Sequence, residues 1–231
     1  NRFVVWVDTL NYKVDPVLYP LPMWEEPIPD EWVPMGYTQE RVSDDETEIE
    51  YYTFAPARMA RLAFNGNTAD IATAQDIIDA MTAINGSLDP SHAEVVLALQ
   101  PGFTGGTHTI NNTSTRTVIV DGSAAGGAIA ASFGFTAGSG KVVMRNATLE
   151  GNATTAAGNY EFSSITFTNT TGGISLGGNA VVAVTDCVFT NLTGSGISGG
   201  VSSNATITNC LFLDNTAGNG AAISASTNST Y

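Results

Sequence analysis

Asparagine followed two residues later by serine or threonine is the chemistry this sequence repeats most. Such triplets start at Asn85, Asn111, Asn112, Asn146, Asn152, Asn169, Asn191, Asn204 and Asn228. Each is an acceptor for an N-linked glycan if the chain is secreted and the amide faces solvent. Asn85, Asn112, Asn146, Asn152, Asn204 and Asn228 lie in or beside turn-rich stretches and are predicted to carry sugar. Asn169 and Asn191 each follow an apolar residue and also qualify for a buried amide ladder, which would exclude a glycan. A Thr-rich, Asn-rich chain also produces such triplets as a by-product of composition.

Other reactive groups are sparse. Glycoside hydrolysis needs two carboxylates one to two strand spacings apart. Lyase chemistry needs a basic residue beside a metal or an Arg. Residues 115–226 hold only Arg116, Asp121, Lys141, Arg145, Glu150, Glu161, Asp186 and Asp214 as charged groups. Asp186 and Asp214 stand at different offsets from their neighbouring Phe, so they are not expected to share a groove. His92 and His108 lie in separate loops with no Cys or second His beside them, so no zinc pattern exists and no metal or cofactor is expected. The Gly-rich stretches precede no helix and are turns rather than phosphate or dinucleotide loops. No catalytic residue is assigned. Cys187 and Cys210, 23 residues apart, are either a disulfide pair or two small stacked apolar side chains.

The bulk numbers agree with a non-catalytic, turn-rich β protein. Charged residues make up 13% of the chain, about half the usual share. The net charge of −14 argues against nucleic acid or an anionic membrane as partner. No apolar run reaches 18 residues, so no spanning helix is expected. The chain begins at Asn1 rather than Met, as a processed or partial chain would.

Two materials are joined in the chain. Residues 1–62 contain all three Trp (Trp6, Trp24 and Trp32), seven of nine Pro, twelve of 22 acidic residues and one Gly. The prolines from Pro16 to Pro34 forbid a helix and any central strand, so an extended arm is expected. Phe3–Val7 reads as a short strand, and 44–50 as a solvated acidic stretch. The arm's aromatics, Phe3, Trp6, Trp24 and Trp32, need a surface, either on their own domain or on a neighbouring copy.

Residues 63–231 read as one domain. A helix is predicted over about 68–84, capped by Asn67 or Thr68 and stopped by Asn85-Gly86. Strands follow at Glu94–Leu99 and Thr117–Val120. From Lys141 the chain repeats itself. Apolar anchors Leu149, Phe167, Phe189 and Phe212 recur at spacings of 18, 22 and 23, each followed by an Asn (Asn152, Asn169, Asn191, Asn215) and then by Gly-rich turns. That spacing is one coil of a parallel β-helix, in which like residues stack at about 4.8 Å. The expected fold is all-β, a right-handed parallel β-helix with coils over about 94–226, a capping helix and the N-terminal arm. Phe should stack on Phe inside, Asn on Asn at the turn, and glycines should supply the left-handed corners.

Phe212-Leu-Asp-Asn215, Gly218-Asn-Gly-Ala-Ala-Ile223 and Gly126-Gly-Ala-Ile129 resemble the FxxN and GGA[ILV] repeats of polymorphic outer membrane proteins and related adhesin passenger domains. Leu149-Glu-Gly-Asn152 is a near match, whereas the coils at Phe167 and Phe189 depart from it. The resemblance implies surface display with adhesion or scaffolding. The expectation is an extracellular structural subunit that assembles with copies of itself through the arm. The rivals are an adhesin that binds glycan or a host ligand and a polysaccharide-active enzyme. No capping helix follows the Phe212 coil, so either the chain continues past Tyr231 or something else covers that end.

Overall fold

In the computed structural model, the described residues are 3–7, 32–41, 48–56, 64–86, 88, 91–217 and 220–231. The chain divides into two compact units, Asn1–Ala63 and Phe64–Tyr231.

In the first unit, strands β1 (Phe3–Val7), β2 (Trp32–Arg41) and β3 (Glu48–Pro56) form a sheet in the order β1-β3-β2. β1 runs parallel to β3, and β2 antiparallel to it. This corrects the expectation of a simple extended arm. The proline rule still holds locally: Pro34 lies on an edge strand, where the missing N–H costs no ladder bond, and the register shifts between Pro34 and Gly36. The acidic stretch ends early, because Glu48–Glu50 open β3. Phe3, Trp6 and Trp32 fall on these strands, and Trp24 lies outside the described residues.

The second unit is a right-handed parallel β-helix with three faces. The first face stacks β5 (Thr68–Ile71), β6 (Glu94–Leu99), β8 (Thr117–Asp121), the start of β11 (Lys141–Leu149), the start of β13 (Gly158–Thr168), β15 (Ala180–Thr185) and β18 (Asn204–Thr208). β4 (Phe64–Asn65) joins this sheet antiparallel to β5. The second face holds β9 (Ala128–Ile129), the ends of β11 and β13, β16 (Val188–Thr190) and β19 (Leu211–Leu213). The third stacks β7 (Thr107–Asn112), β10 (Ser132–Ala137), β12 (Ala153–Thr155), β14 (Ile174–Ser175), β17 (Ile197–Ser198) and β20 (Ile223–Ser224).

Alternation places every second side chain inside. Leu149, Phe167, Phe189 and Phe212 are in register on neighbouring coils. The Phe rings stack at 5.1 and 4.8 Å, with planes 3° and 6° apart. That is the strand spacing expressed in side chains. Toward the other end the core is a looser aromatic group of Phe103, His108, Phe133, Phe135 and Phe162.

The corners differ from expectation. Left-handed backbone is supplied mainly by non-glycine residues in three columns. These are Asn146, Ser164, Asp186 and Asn209 between the first and second faces, Asn169, Asn191 and Asp214 after the second, and Asn179, Ser202 and Asn228 after the third. Short polar side chains tolerate this region through local hydrogen bonding. Gly173 and Gly196 serve another purpose. A Cβ on either would lie 2.5–2.6 Å from the ring of Phe189 or Phe212, so these glycines leave room for the inner stack.

The helix α1 (Ala74–Asn85) starts later than its apolar spacing suggests. Ala69 and Ile71 point inward from β5, which pairs with β6, so strand pairing takes these residues from the helix. The cap is Thr73: its Oγ1 accepts from Asp76 N–H, and Asp76 Oδ2 accepts from Thr73 N–H. Ile77, Ala80, Met81 and Ile84 form its buried face.

Candidate functional site

The outer side of the first face carries the ion pairs of the solenoid's described residues. Outward positions on β8, β11 and β13 include Thr117, Asp121, Lys141, Arg145, Asn159 and Glu161. Arg145 Nε donates to Asp121 Oδ2 at 2.7 Å across directly paired positions, and Lys141 Nζ donates to Glu161 Oε2 at 2.5 Å. A shallow groove beside them is lined by Thr117, Lys141, Asn159, Val181, Ala183 and Thr206.

This face is poorly arranged for acid–base chemistry. Burial alone would raise the Asp121 pKa. Its effect is outweighed by bonds from Ser123 N–H, the Arg145 guanidinium, the Ser123 hydroxyl and the Asn146 amide, which together hold the carboxyl below its ordinary range. A general acid for glycoside cleavage requires the opposite shift. Glu161 is taken by Lys141. Asp186 and Asp214 occupy different corner columns, and Asp186 accepts a hydrogen bond from Asn209 Nδ2. Among the described residues no group of three His, Cys, Asp or Glu is placed to hold a metal ion, and no helix is long and apolar enough to cross a membrane. His108 is buried between Phe103 and Phe133.

Cys187 and Cys210 sit on adjacent coils, as their spacing requires, and both are free thiols. The disulfide alternative is therefore not realised in this structure. Each sulfur points at a carbonyl of the preceding coil, Phe162 O for Cys187 and Val184 O for Cys210. Burial pushes the Cys187 thiol up to about 12.

The asparagines separate into two kinds. Asn112 is fully buried. Its Nδ2 donates to the carbonyls of Arg116 and Lys141, and its Oδ1 accepts from the Ser114 N–H and hydroxyl. The expectation of a glycan there is overturned, because the folded chain leaves no room for one. Asn85 is exposed, but its Nδ2 donates to Asn111 O at 2.7 Å and its Oδ1 accepts from Thr113 N–H at 3.0 Å. Asn215 bridges coils in the same way: Oδ1 accepts from Leu192 N–H and Nδ2 donates to Phe189 O. Asn146, Asn204 and Asn228 are exposed, and Asn152 is half-buried. Asn169 and Asn191, where a buried ladder and a glycan compete in the sequence, are exposed corner residues.

Sequence reasoning missed a polar latch at the helix end. Arg116 donates from Nε to His92 O at 2.9 Å, from Nη2 to Leu88 O at 2.7 Å, and from Nη1 to Ile84 O. Together with Asn85 it ties the C-terminal end of α1 to the coil beneath. The partners lie 24 to 32 residues away in sequence, so no local motif announces them.

Residues 153–231 match the family described as right handed beta helix region. No curated protein and no solved structure matches the chain.

Proposed function

We propose that this chain is an extracellular structural protein, a subunit of a surface filament or scaffold that assembles head to tail, with no catalytic role. The observation that carries this reading is the contrast in exposed apolar surface. Six large hydrophobic side chains are exposed among the described residues, and four of them cluster around the last coil: Leu211 and Leu213 on it, Val201 just before it and Tyr231 just after it. Unpaired strand edges beside exposed apolar side chains invite strand addition from a second molecule. The first unit offers a matching element. β1, Phe-Val-Val-Trp-Val, is an apolar strand that pairs on one side only among the described residues. A heterologous contact of this kind repeats without closing.

The FxxN motif adds support for surface display, and its physical meaning in this chain is plain: Phe212 joins the inner stack while Asn215 ties its coil to the one before. The rival readings have less behind them. The ring-stacked phenylalanines all face inward, which leaves no row of stacking platforms for a glycan on the described surface. Asp121 and Glu161 on the first face are paired with cations rather than with each other.

Light scattering against concentration tests the proposal. The whole chain should grow in mass with concentration. The double substitution Leu211→Asp, Leu213→Asp should hold it at monomer mass, as should deletion of residues 1–35. If both variants assemble like the parent, the reading is wrong.

A further inference from the structure

We propose that Asn169 and Asn191 are glycan acceptors, one above the other on a single edge of the solenoid. From the sequence, a buried amide ladder and a glycan compete at both. Both are exposed, with φ of 53° and 54°, at the corner after the second face. Their strands are in register, since Thr168 pairs with Thr190, so the two asparagines stand one strand spacing apart. The Asn191 N–H donates to Leu213 O and keeps the backbone in the ladder. Among the described residues neither side-chain amide has a hydrogen-bond partner, in contrast to Asn85, Asn112 and Asn215, whose amides are engaged at both ends. The hydroxyl residues that complete the triplets, Thr171 and Thr193, are also exposed.

The corner geometry by itself does not call for this arrangement. Ten non-glycine residues take left-handed backbone, and six are Asn. Asp214 fills the same column one coil on, and Ser164, Asp186 and Ser202 fill the others, so Asn is one choice among several. Asn179 and Asn209 show that a corner Asn needs no hydroxyl residue two places later, since Val181 and Leu211 follow them. Yet Asn169, Asn191, Asn146 and Asn228 all have Thr there. Asn146 already donates to Asp121, at 3.3 Å. The pair at 169 and 191 therefore combines amides without a partner among the described residues, exposed side chains and complete triplets on adjacent coils.

The co-reactant is a polyprenyl-pyrophosphate-linked oligosaccharide. The Nδ2 atom forms a bond to the anomeric carbon of the first sugar. The bond from that carbon to the carrier's phosphate oxygen breaks, the pyrophosphate leaves with the electron pair, and one amide proton passes to a base. No redox change occurs. The proposal rests on the extracellular placement argued above but not on head-to-tail assembly, and a glycan at this lateral corner leaves the coil ends open.

The test is site-resolved peptide mapping of the full chain secreted from a host with N-glycosylation, with glycans released by an amidase in heavy-oxygen water. Labelled Asp should appear at 169 and 191 and not at 112. Thr171→Val and Thr193→Val should each remove one glycan from the intact mass while leaving the corner Asn in place. Asn169→Asp and Asn191→Asp should do the same with a residue already accepted in that column at Asp214. Unlabelled peptides at both positions would overturn the proposal, whether other triplets are labelled or none is. Light scattering of the same samples reads assembly separately, so the two proposals fail independently.

Discussion

The two ends of the solenoid are built from opposite materials. At the N-terminal end α1 lays Ile77, Ala80, Met81 and Ile84 over the core, and Arg116 and Asn85 fasten its last turn through side chain-to-backbone bonds. At the other end the last coil shows Leu211 and Leu213 at 49% and 44% exposure, and the inward Phe212 is half-buried. The inner stack itself is the more regular at this second end, with near-parallel rings, than at the first, where tilted rings and His108 mix. Regular repetition and a closed end are thus separate problems. Identical coils solve stacking but cannot terminate themselves, because each coil presents the surface that the next one needs.

Substitutions at each end sharpen this contrast. The largest effect is expected at Phe189, which is fully buried with a ring stacked on either side. Phe189→Ala should cost about 3 to 5 kcal/mol in urea unfolding. A loss under about 1 kcal/mol would mean that the column is not the core of the late coils. At the closed end, Arg116→Met keeps the aliphatic stem and removes the charged donors. It should cost about 2 to 3 kcal/mol and free α1 before the coils unfold, as seen in a helical circular dichroism signal that melts first. One cooperative transition at unchanged midpoint would contradict the latch.

Asp121→Asn probes the charged face and is expected to be smaller, about 1 to 2 kcal/mol at neutral pH, because the Arg145 partner is 38% exposed and screened. The folded carboxyl titrates below its ordinary value of 3.8. Its contribution is therefore complete at pH above that value and fades as pH falls through and below it. Stability curves of parent and variant should converge only in strong acid. Convergence near pH 6 would assign the effect to another group. The smallest energetic effect belongs to the last coil: Leu211→Asp should change monomer stability by under about 0.5 kcal/mol, since the side chain is already half in water. Alkylation distinguishes the thiols. Cys187, buried and held up to about 12, should stay unmodified in the folded chain, while the half-buried Cys210 reacts with iodoacetamide first. Equal rates would show that the late coils open together.

The solenoid was legible because stacking forces like residues to recur at like spacing, and Leu149, Phe167, Phe189 and Phe212 are in register as their spacing demands. The asparagines were harder. Residue type marks a corner, but type cannot tell a free corner amide such as Asn191 from one that reaches inward, such as Asn215, because the two differ by a single step of register. The helix start was misplaced because Ala69 and Ile71 satisfy an alternating pattern as well as a helical one. Only pairing with β6 decides between them. The latch lay beyond local reading, since Arg116 acts on carbonyls from a distant part of the chain. The acidic groups were read correctly as dispersed, but not as the cross-coil ion pairs that Asp121 and Glu161 form.

Hydrogen exchange of the whole chain at low and high protein concentration tests the central contrast most directly. Amides of Asn204–Thr208 and Leu211–Leu213 should gain at least tenfold protection at high concentration, while those of α1 and Thr68–Ile71 stay unchanged, since one end is covered by its own helix and the proposed assembly covers the other with a second molecule. Protection that ignores concentration at the last coil, or that rises equally at both ends, would contradict the account.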